Sequence, residues 1–473
     1  MTINRLPDEV LLEIFDSYRQ TIDPYDRQWR KKSVWLNLAH ACRRWHAVIF
    51  ASSSRLDLGI NVGPQKPDYI KKTLSSGLSI FIEYKYYQFR NISGSALWRL
   101  RAALRYRDRV RKISFGGCAV SAVSFGTFFK ATNYHFPTLE SLDLRLPYNG
   151  ELDIPATFLR GPNQLDLRLR CLKLSDASLS SVSGLLLSAT ALTNLKLSLT
   201  SFDSSQGSFL LSYLQCMQSL RSLDLTTPSD RRGSQSEHST YSTPNDIVPF
   251  LKLTRFHFIG SKTFLDNFMS GLSAPSLQDA RFVLNSRAPI LYLSRVIDGV
   301  SEEFRSVSVT FDLGHFYLLS STQSGKIDYL KLKPSFRFNL NCYPDSIYTT
   351  PSMKLAVAEE LALFFTTSYM NEYFSLREFL RQFRSVRVLR VDPFIPKAAL
   401  SLQQDDGEAI LPVLEEIEVS ISRLTKNSEE EYERHAAEVL AAFEPFVSAR
   451  ERAGRLVKVT IVRRRHAIKA PKW

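Results

Sequence analysis

The sequence predicts an α/β chain in which a short N-terminal helical pair precedes an irregular solenoid of parallel strands. Three observations predict it. Apolar residues recur at helical spacing near the start, a strand-like apolar phrase returns through most of the remainder, and the stretches between phrases suit helical returns. At 473 residues the chain is too long for one compact core, which leaves several domains or one elongated repeat body.

The helical pair rests on two stretches, Leu6 to Phe15 and Trp35 to Phe50. Pro7 suits a first helical turn, where its missing N–H costs nothing, and Asp8 and Glu9 sit where the helix dipole favours negative charge. Leu11, Ile14, Phe15 and Tyr18 then share one face. In the second stretch Trp35, Leu38, Cys42, Trp45 and Ile49 step by three and four, widened by Val34, Ala41 and Val48. Two helices this short cannot bury so much apolar surface between them. Either the rest of the chain covers the excess, making the pair a structural cap, or a separate protein does.

From Val110 onward the pattern apolar, two residues, apolar, one residue, apolar recurs thirteen times. It reads Val110-Ile113-Phe115, Leu139-Leu142-Leu144, Leu169-Leu172-Leu174, Leu192-Leu195-Leu197, Leu220-Leu223-Leu225, Leu253-Phe256-Phe258 and Leu277-Ala280-Phe282. It continues as Phe304-Val307-Val309, Ile327-Leu330-Leu332, Ala358-Leu361-Leu363, Val386-Leu389-Val391, Leu414-Ile417-Val419 and Leu456-Val459-Ile461. Successive phrases start 23 to 33 residues apart, with a last step of 42. That period matches the leucine-rich repeat, roughly 20 to 29 residues long, stretched by insertions. Each phrase predicts a short strand with its apolar side chains turned into the solenoid, and stacked repeats bury a core that no single repeat could. Helical returns are expected at Ser180 to Ala191, at Phe264 to Met269, across Phe374 to Phe383, and from Glu429 to a stop near Pro445.

These patterns set the boundaries. Residues 1–52 hold the helical pair, 53–108 form a connecting and capping segment with strand-like Leu56 to Leu58 and Ser79 to Tyr84, and 109–465 form the solenoid. Residues 226–249, rich in Ser, Thr, Pro and charge, read as a mobile insertion, Ser401 to Glu408 as a lesser one, and 466–473 as a basic tail.

Leu6-Pro7-x-Glu9-x-x-x-x-Ile14-Phe15, followed by Leu38-Ala39-x-Ala41-Cys42-Arg43-Arg44-Trp45-x-x-x-Ile49, resembles an F-box. This short helical motif docks on a Skp-family adaptor in cullin-based ubiquitin ligases. The connection from Asp16 to Ser33 is longer and more charged than the family's usual loop. The resemblance implies that Leu6, Pro7, Leu11, Ile14, Phe15, Leu38, Cys42 and Trp45 bind the adaptor, with a cullin scaffold beyond it. An F-box ahead of irregular leucine-rich repeats is similar to a large group of fungal F-box proteins. The asparagine that usually follows the strand phrase in such repeats is mostly missing, as in Leu144-Arg145-Leu146.

Nothing in the sequence marks catalysis. GxxxxGK[ST], HExxH and GxSxG are all absent, and the eight histidines are dispersed. Cys42, Cys118, Cys171, Cys216 and Cys342 include no CxxC pair, so they read as small buried apolar groups and not as disulfides or a zinc site. No metal or cofactor is expected. No run of eighteen apolar residues suggests a membrane span, which places the chain in the cytoplasm or nucleus.

Recognition is the remaining role. The residue between the last two apolar positions of each phrase should point to the concave face. Lys173, Lys196, His257, Arg281, Lys331 and Arg390 make that face lean positive, in keeping with a net charge of +14. They are the candidate residues for holding an acidic or phosphorylated target segment. The cluster from Arg99 to Lys112 reads as a solvated helix surface, and nucleic acid is not an expected partner because few aromatic side chains interleave with it. Two functions therefore compete: a non-catalytic substrate-recognition subunit of a ubiquitin ligase, and a repeat scaffold without ligase activity whose first helices are only a cap and whose positive charge would serve acidic partners or nucleic acid.

Overall fold

The computed structural model describes residues 6–20, 38, 41–52, 59–62, 79–85, 94–116, 122–147, 153–155, 157–159, 167–200, 206–228, 247–284, 297–301, 304, 306–312, 315–321, 336–341, 352–365, 376–391, 410–422 and 429–464. The chain divides into two compact units, Met1–Leu192 and Thr193–Trp473.

The first unit opens with α1 (Asp8–Gln20) and α2 (Arg43–Ala51). The second helix does not run unbroken from Trp35, which lies outside the described residues. Leu38 and Ala41 are helical, but Cys42 is extended (φ −160°, ψ 166°), and its Sγ accepts the backbone N–H of Trp45 at 3.4 Å. A helix starting at Arg43 exposes its first N–H groups, and the sulfur satisfies one of them. The apolar stripe survives the break, because Leu38 and Trp45 pack on the same cluster as Ile49.

Five parallel strands follow in chain order: β1 (Gly59–Val62), β2 (Ser79–Lys85), β3 (Val110–Gly116), β4 (Ser141–Arg145) and β5 (Cys171–Ala177). Strand stacking begins at Gly59, within the connecting and capping segment, and β2 falls on the stretch expected to be strand-like, Ser79 to Tyr84. Ile82, Ile113, Leu142 and Leu172 stand in one register row and all are buried. Three helices lie between or after the strands: α3 (Gly94–Leu104), α4 (Ala122–Ala131) and α5 (Leu179–Ser188). Helix α3 packs on β1 and β2, and Phe128 of α4 stacks on Phe115 of β3 at 4.1 Å. Ser178 caps α5 by accepting the Ser181 N–H.

The second unit contains β6 (Asn194–Leu199), α6 (Gln206–Leu214), β7 (Ser222–Thr226), β8 (Val248–Pro249), β9 (Arg255–Gly260), α7 (Lys262–Gly271), β10 (Leu272–Ser273) and β11 (Asp279–Leu284). It continues with β12 (Ser306–Asp312), β13 (His315–Ser321), β14 (Phe336–Asn341), α8 (Met353–Ala356), β15 (Glu360–Phe365), α9 (Leu376–Leu380), β16 (Val388–Val391), β17 (Glu416–Ser422), α10 (Glu429–Arg452) and β18 (Lys458–Arg464). The order within its main sheet is β6-β7-β9-β11-β14-β13-β12-β15-β16-β17-β18, and β8 pairs separately with β10. Leu195, Leu223, Phe256 and Ala280 form a buried row across four of these strands.

Among the described residues the sheet is parallel except where β13 runs antiparallel to both β12 and β14. Only Leu313 and Gly314 separate β12 from β13, and a parallel crossover needs about a dozen residues or more. The phrase expected at Ile327-Leu330-Leu332 lies outside the described residues, as do 229–246 of the expected insertion, 401–408 and the tail at 466–473.

Helix α10 does not stop at Pro445 but runs through it to Arg452. Val439, Phe443, Phe446 and Arg450 form one buried face spanning the proline, while Pro445 itself is exposed, so the lost N–H bond falls on the solvent side. The Arg450 guanidinium donates to the carbonyls of Ile410, Leu411 and Pro412, fixing the helix beyond the break. Gly116 and Gly260 end β3 and β9 with φ of +135° and +144°, and at each a Cβ would collide with the neighbouring backbone, of Arg145 and Thr227 respectively.

Candidate functional site

The helical pair builds a small core of its own. Leu11, Leu12 and Phe15 from α1 meet Val48 and Ile49 from α2, with Leu6, Leu38 and Trp45 packed against them. The rings of Phe15 and Trp45 sit edge to face at 5.1 Å. Arg44 fastens the entry of α1, donating to the Leu6 carbonyl at 2.5 Å and to Asp8 Oδ1 at 2.6 Å. Among the described residues this cluster draws only on the pair.

That packing sorts the residues expected to dock an adaptor. Leu11 and Phe15 are 0% and 2% exposed, so they hold the pair together and offer no surface. Cys42 is half-buried and spends its sulfur on the cap, while Leu6, Leu38 and Trp45 are half-buried at the edge of the cluster. Pro7 and Ile14 are exposed. Val10, absent from the expected set, is exposed as well; it shares a stripe of α1 with Ile14, and Pro7 stands just before the helix. The signal for Val10 was its place four residues before Ile14.

The row between the last apolar positions of the strands is charged at several of them, and Lys173, Lys196, His257 and Arg390 meet carboxylates across strands. In the first unit Asp143 stands between Ser114 and Lys173, with Lys173 Nζ 3.7 Å from Asp143 Oδ2. In the second, Lys196, Asp224, His257 and Arg281 stand in register. Lys196 Nζ lies 2.5 Å from Asp224 Oδ2, and His257 Nδ1 lies 3.3 Å from Asp224 Oδ1. Burial pushes the Asp224 carboxyl up, but hydrogen bonds from His257 and Lys196 and their charges outweigh it and hold it below the usual aspartate value. Arg390 is buried between Glu360 (2.7 Å) and Glu418 (2.8 Å), a structural ion network in place of an open anion receptor. Arg281 is exposed, and Lys331 lies outside the described residues. Lys173, Lys196 and Arg390 are thus paired where the strands meet, because neighbouring repeats supply the carboxylates.

Other expectations also shift. Arg99, expected on a solvated helix surface, is 6% exposed. Cys216 is exposed, and Cys42 and Cys171 are half-buried, in place of the buried groups expected. Among the described residues no cluster of metal-ligating side chains occurs, and no helix is long and apolar enough to cross a membrane.

Residues 3–54 match the F-box-like family model. The F-box-like segment thus coincides with the helical pair and its closed core. No curated protein matches the chain. Among solved structures, the leucine-rich repeat-containing protein LegL7 from Legionella pneumophila covers 86% of this chain and 91% of its own at 13% identity, with a TM-score of 0.27. That superposition is too loose to bear on fold or function. An F-box-like segment ahead of strands stacked at leucine-rich-repeat spacing supports a protein-interaction adaptor.

Proposed function

We propose that this protein is a substrate-recognition subunit of an SCF-type cullin ubiquitin ligase, acting in the cytoplasm or nucleus. The F-box-like segment binds a Skp-family adaptor, the adaptor bridges to a cullin, and the stacked strands hold the target protein. The observation carrying this reading is the division of labour on α1. One stripe closes a core with α2, while Val10 and Ile14 on its flank, with Pro7 just ahead of the helix, stay exposed. A structural cap would spend its apolar surface on the strands it covers, and here the cluster contains none of their described residues.

The chain's contribution to ubiquitin transfer is positional. Holding a target lysine near a charged carrier raises its effective concentration, and no acid or base from this chain is required. Co-expression with a Skp-family adaptor and affinity capture tests the assignment. Retention of the adaptor by the full chain, with loss on changing Leu6-Pro7 to Ala-Ala or Ile14→Glu, is the expected result. No retention by the unaltered chain would remove the ligase assignment and leave a repeat scaffold.

A further inference from the structure

We propose that the rim of the first unit's sheet, where β2 to β5 begin, is a docking groove for an extended acidic peptide segment of a target protein. This deepens the target-holding role given above to the strands and rests on it, but not on adaptor binding.

The groove is organised by an irregularity in strand pairing. Ile80 pairs with Val110, but the next pair is Phe81 with Lys112, so Arg111 is an extra residue opposite nothing on β2. Such a bulge leaves its residue outside the ladder and re-aims the side chain. Arg111 reaches the start of the next strand, its Nη2 2.6 Å from Glu140 Oε1. Two adjoining depressions of about 340 and 440 Å³ open here, and both are lined by Arg111, Glu140 and Arg170. Arg109, Lys112 and Arg168 complete the cationic lining.

Charge separates this rim from the rows along the strands. Lys173, Lys196 and Arg390 each face a carboxylate on a neighbouring strand. The rim lining has five cationic side chains against three carboxylates, Glu83, Asp108 and Glu140, and of the cations Lys112, Arg168 and Arg170 are exposed. Its frame is held in place, since Thr138 Oγ1 bonds the carbonyls of Asp108 (2.9 Å) and Val110 (3.1 Å). Four strands spaced about 4.8 Å apart span about 14 Å, the length of roughly four residues of extended peptide. The site is polar and lies along an edge, which suits a chain of carboxylates met by arginine forks better than an enclosed apolar ligand. Single-stranded nucleic acid would need free ring faces for stacking, but Arg107 lies over Tyr134 at 4.5 Å and Arg109 over Tyr106 at 5.3 Å.

Fluorescence anisotropy on the full chain tests the proposal, using a labelled Asp/Glu-rich peptide, a Ser/Gly peptide of equal length and a single-stranded oligonucleotide of equal charge. The acidic peptide should bind saturably and more weakly as salt rises, and the other two should bind less well. Lys112 and Arg168 are exposed, so the K112E/R168E double variant should keep its circular dichroism spectrum while losing roughly tenfold in affinity for the acidic peptide. Lys196→Glu, on a paired row, should change nothing. The proposal is overturned by absence of saturable binding, by equal affinity of K112E/R168E, by an equal loss in Lys196→Glu, or by tighter binding of the oligonucleotide. Adaptor capture by the same variants reports separately on the F-box reading, because none of the three substituted residues lies in the helical pair.

Discussion

The helical pair and the strand stack bury their apolar side chains in different ways. A strand inside the stack has a neighbour on each side, so Phe256 on β9 meets Phe282 of β11 at 5.4 Å and Phe268 of α7 at 5.6 Å, with no exposed surface left. Helix α1 has one described partner helix, so Leu11 and Phe15 are sealed while Val10 and Ile14 remain 37% and 39% exposed. The stack ends with a similar shortfall at Leu456, 78% exposed ahead of the edge strand β18. Repetition satisfies the apolar rows of interior strands, and exposed apolar side chains fall outside those rows, on α1 and also at Phe209, Leu251 and Met353 within the stack.

Substitutions in each region test that contrast. Phe256→Ala should cost the most, about 3–5 kcal/mol, because it opens a void between two rings that cannot collapse onto it. A urea-unfolding loss below about 1 kcal/mol would show that strand interiors are not closely packed. Arg390→Ala should cost a comparable amount or slightly less, about 3–5 kcal/mol, by leaving Glu360 and Glu418 without their shared cation. Leu11→Ala should cost about 2–3 kcal/mol, at the low end for a buried leucine, because the cluster around it is small. Limited proteolysis should find this variant cut preferentially within residues 6–52.

A smaller effect is expected from pH. The Asp224 carboxyl is held below its unfolded value near 3.8, so its stabilising contribution is present above that value and disappears as pH falls through the lower folded value. Thermal melts on the acid side should therefore be flatter for Asp224→Asn than for the unaltered chain, and identical acid limbs would deny Asp224 this role. The smallest stability change belongs to V10S/I14S, within about 0.5 kcal/mol since both side chains are exposed. The same double variant should abolish adaptor capture, and retained capture would place the docking surface elsewhere.

Local patterns carried much of the architecture. Pro7, Asp8 and Glu9 mark the start of α1, and phrases such as Leu142-Asp143-Leu144 and Leu223-Asp224-Leu225 fall on β4 and β7. The antiparallel strand β13 is also marked in the sequence, since two residues including Gly314 lie between two strand-like runs, a hairpin signal to which a fixed repeat period is blind. The break at Cys42 was less legible, because the apolar stripe continues across it and hides the change in backbone.

By itself the sequence determined which residues share a face, since helical and strand periods depend only on near neighbours along the chain. It therefore determined the helical pair, the recurring strands and the apolar rows between them. Only the tertiary structure decided which neighbour covers each face: Leu11 sealed and Ile14 open, Lys196 neutralised by Asp224, and Arg111 turned out of its ladder toward Glu140. The physical reason is that covering and pairing come from residues roughly thirty or more positions away, whose approach no local period specifies.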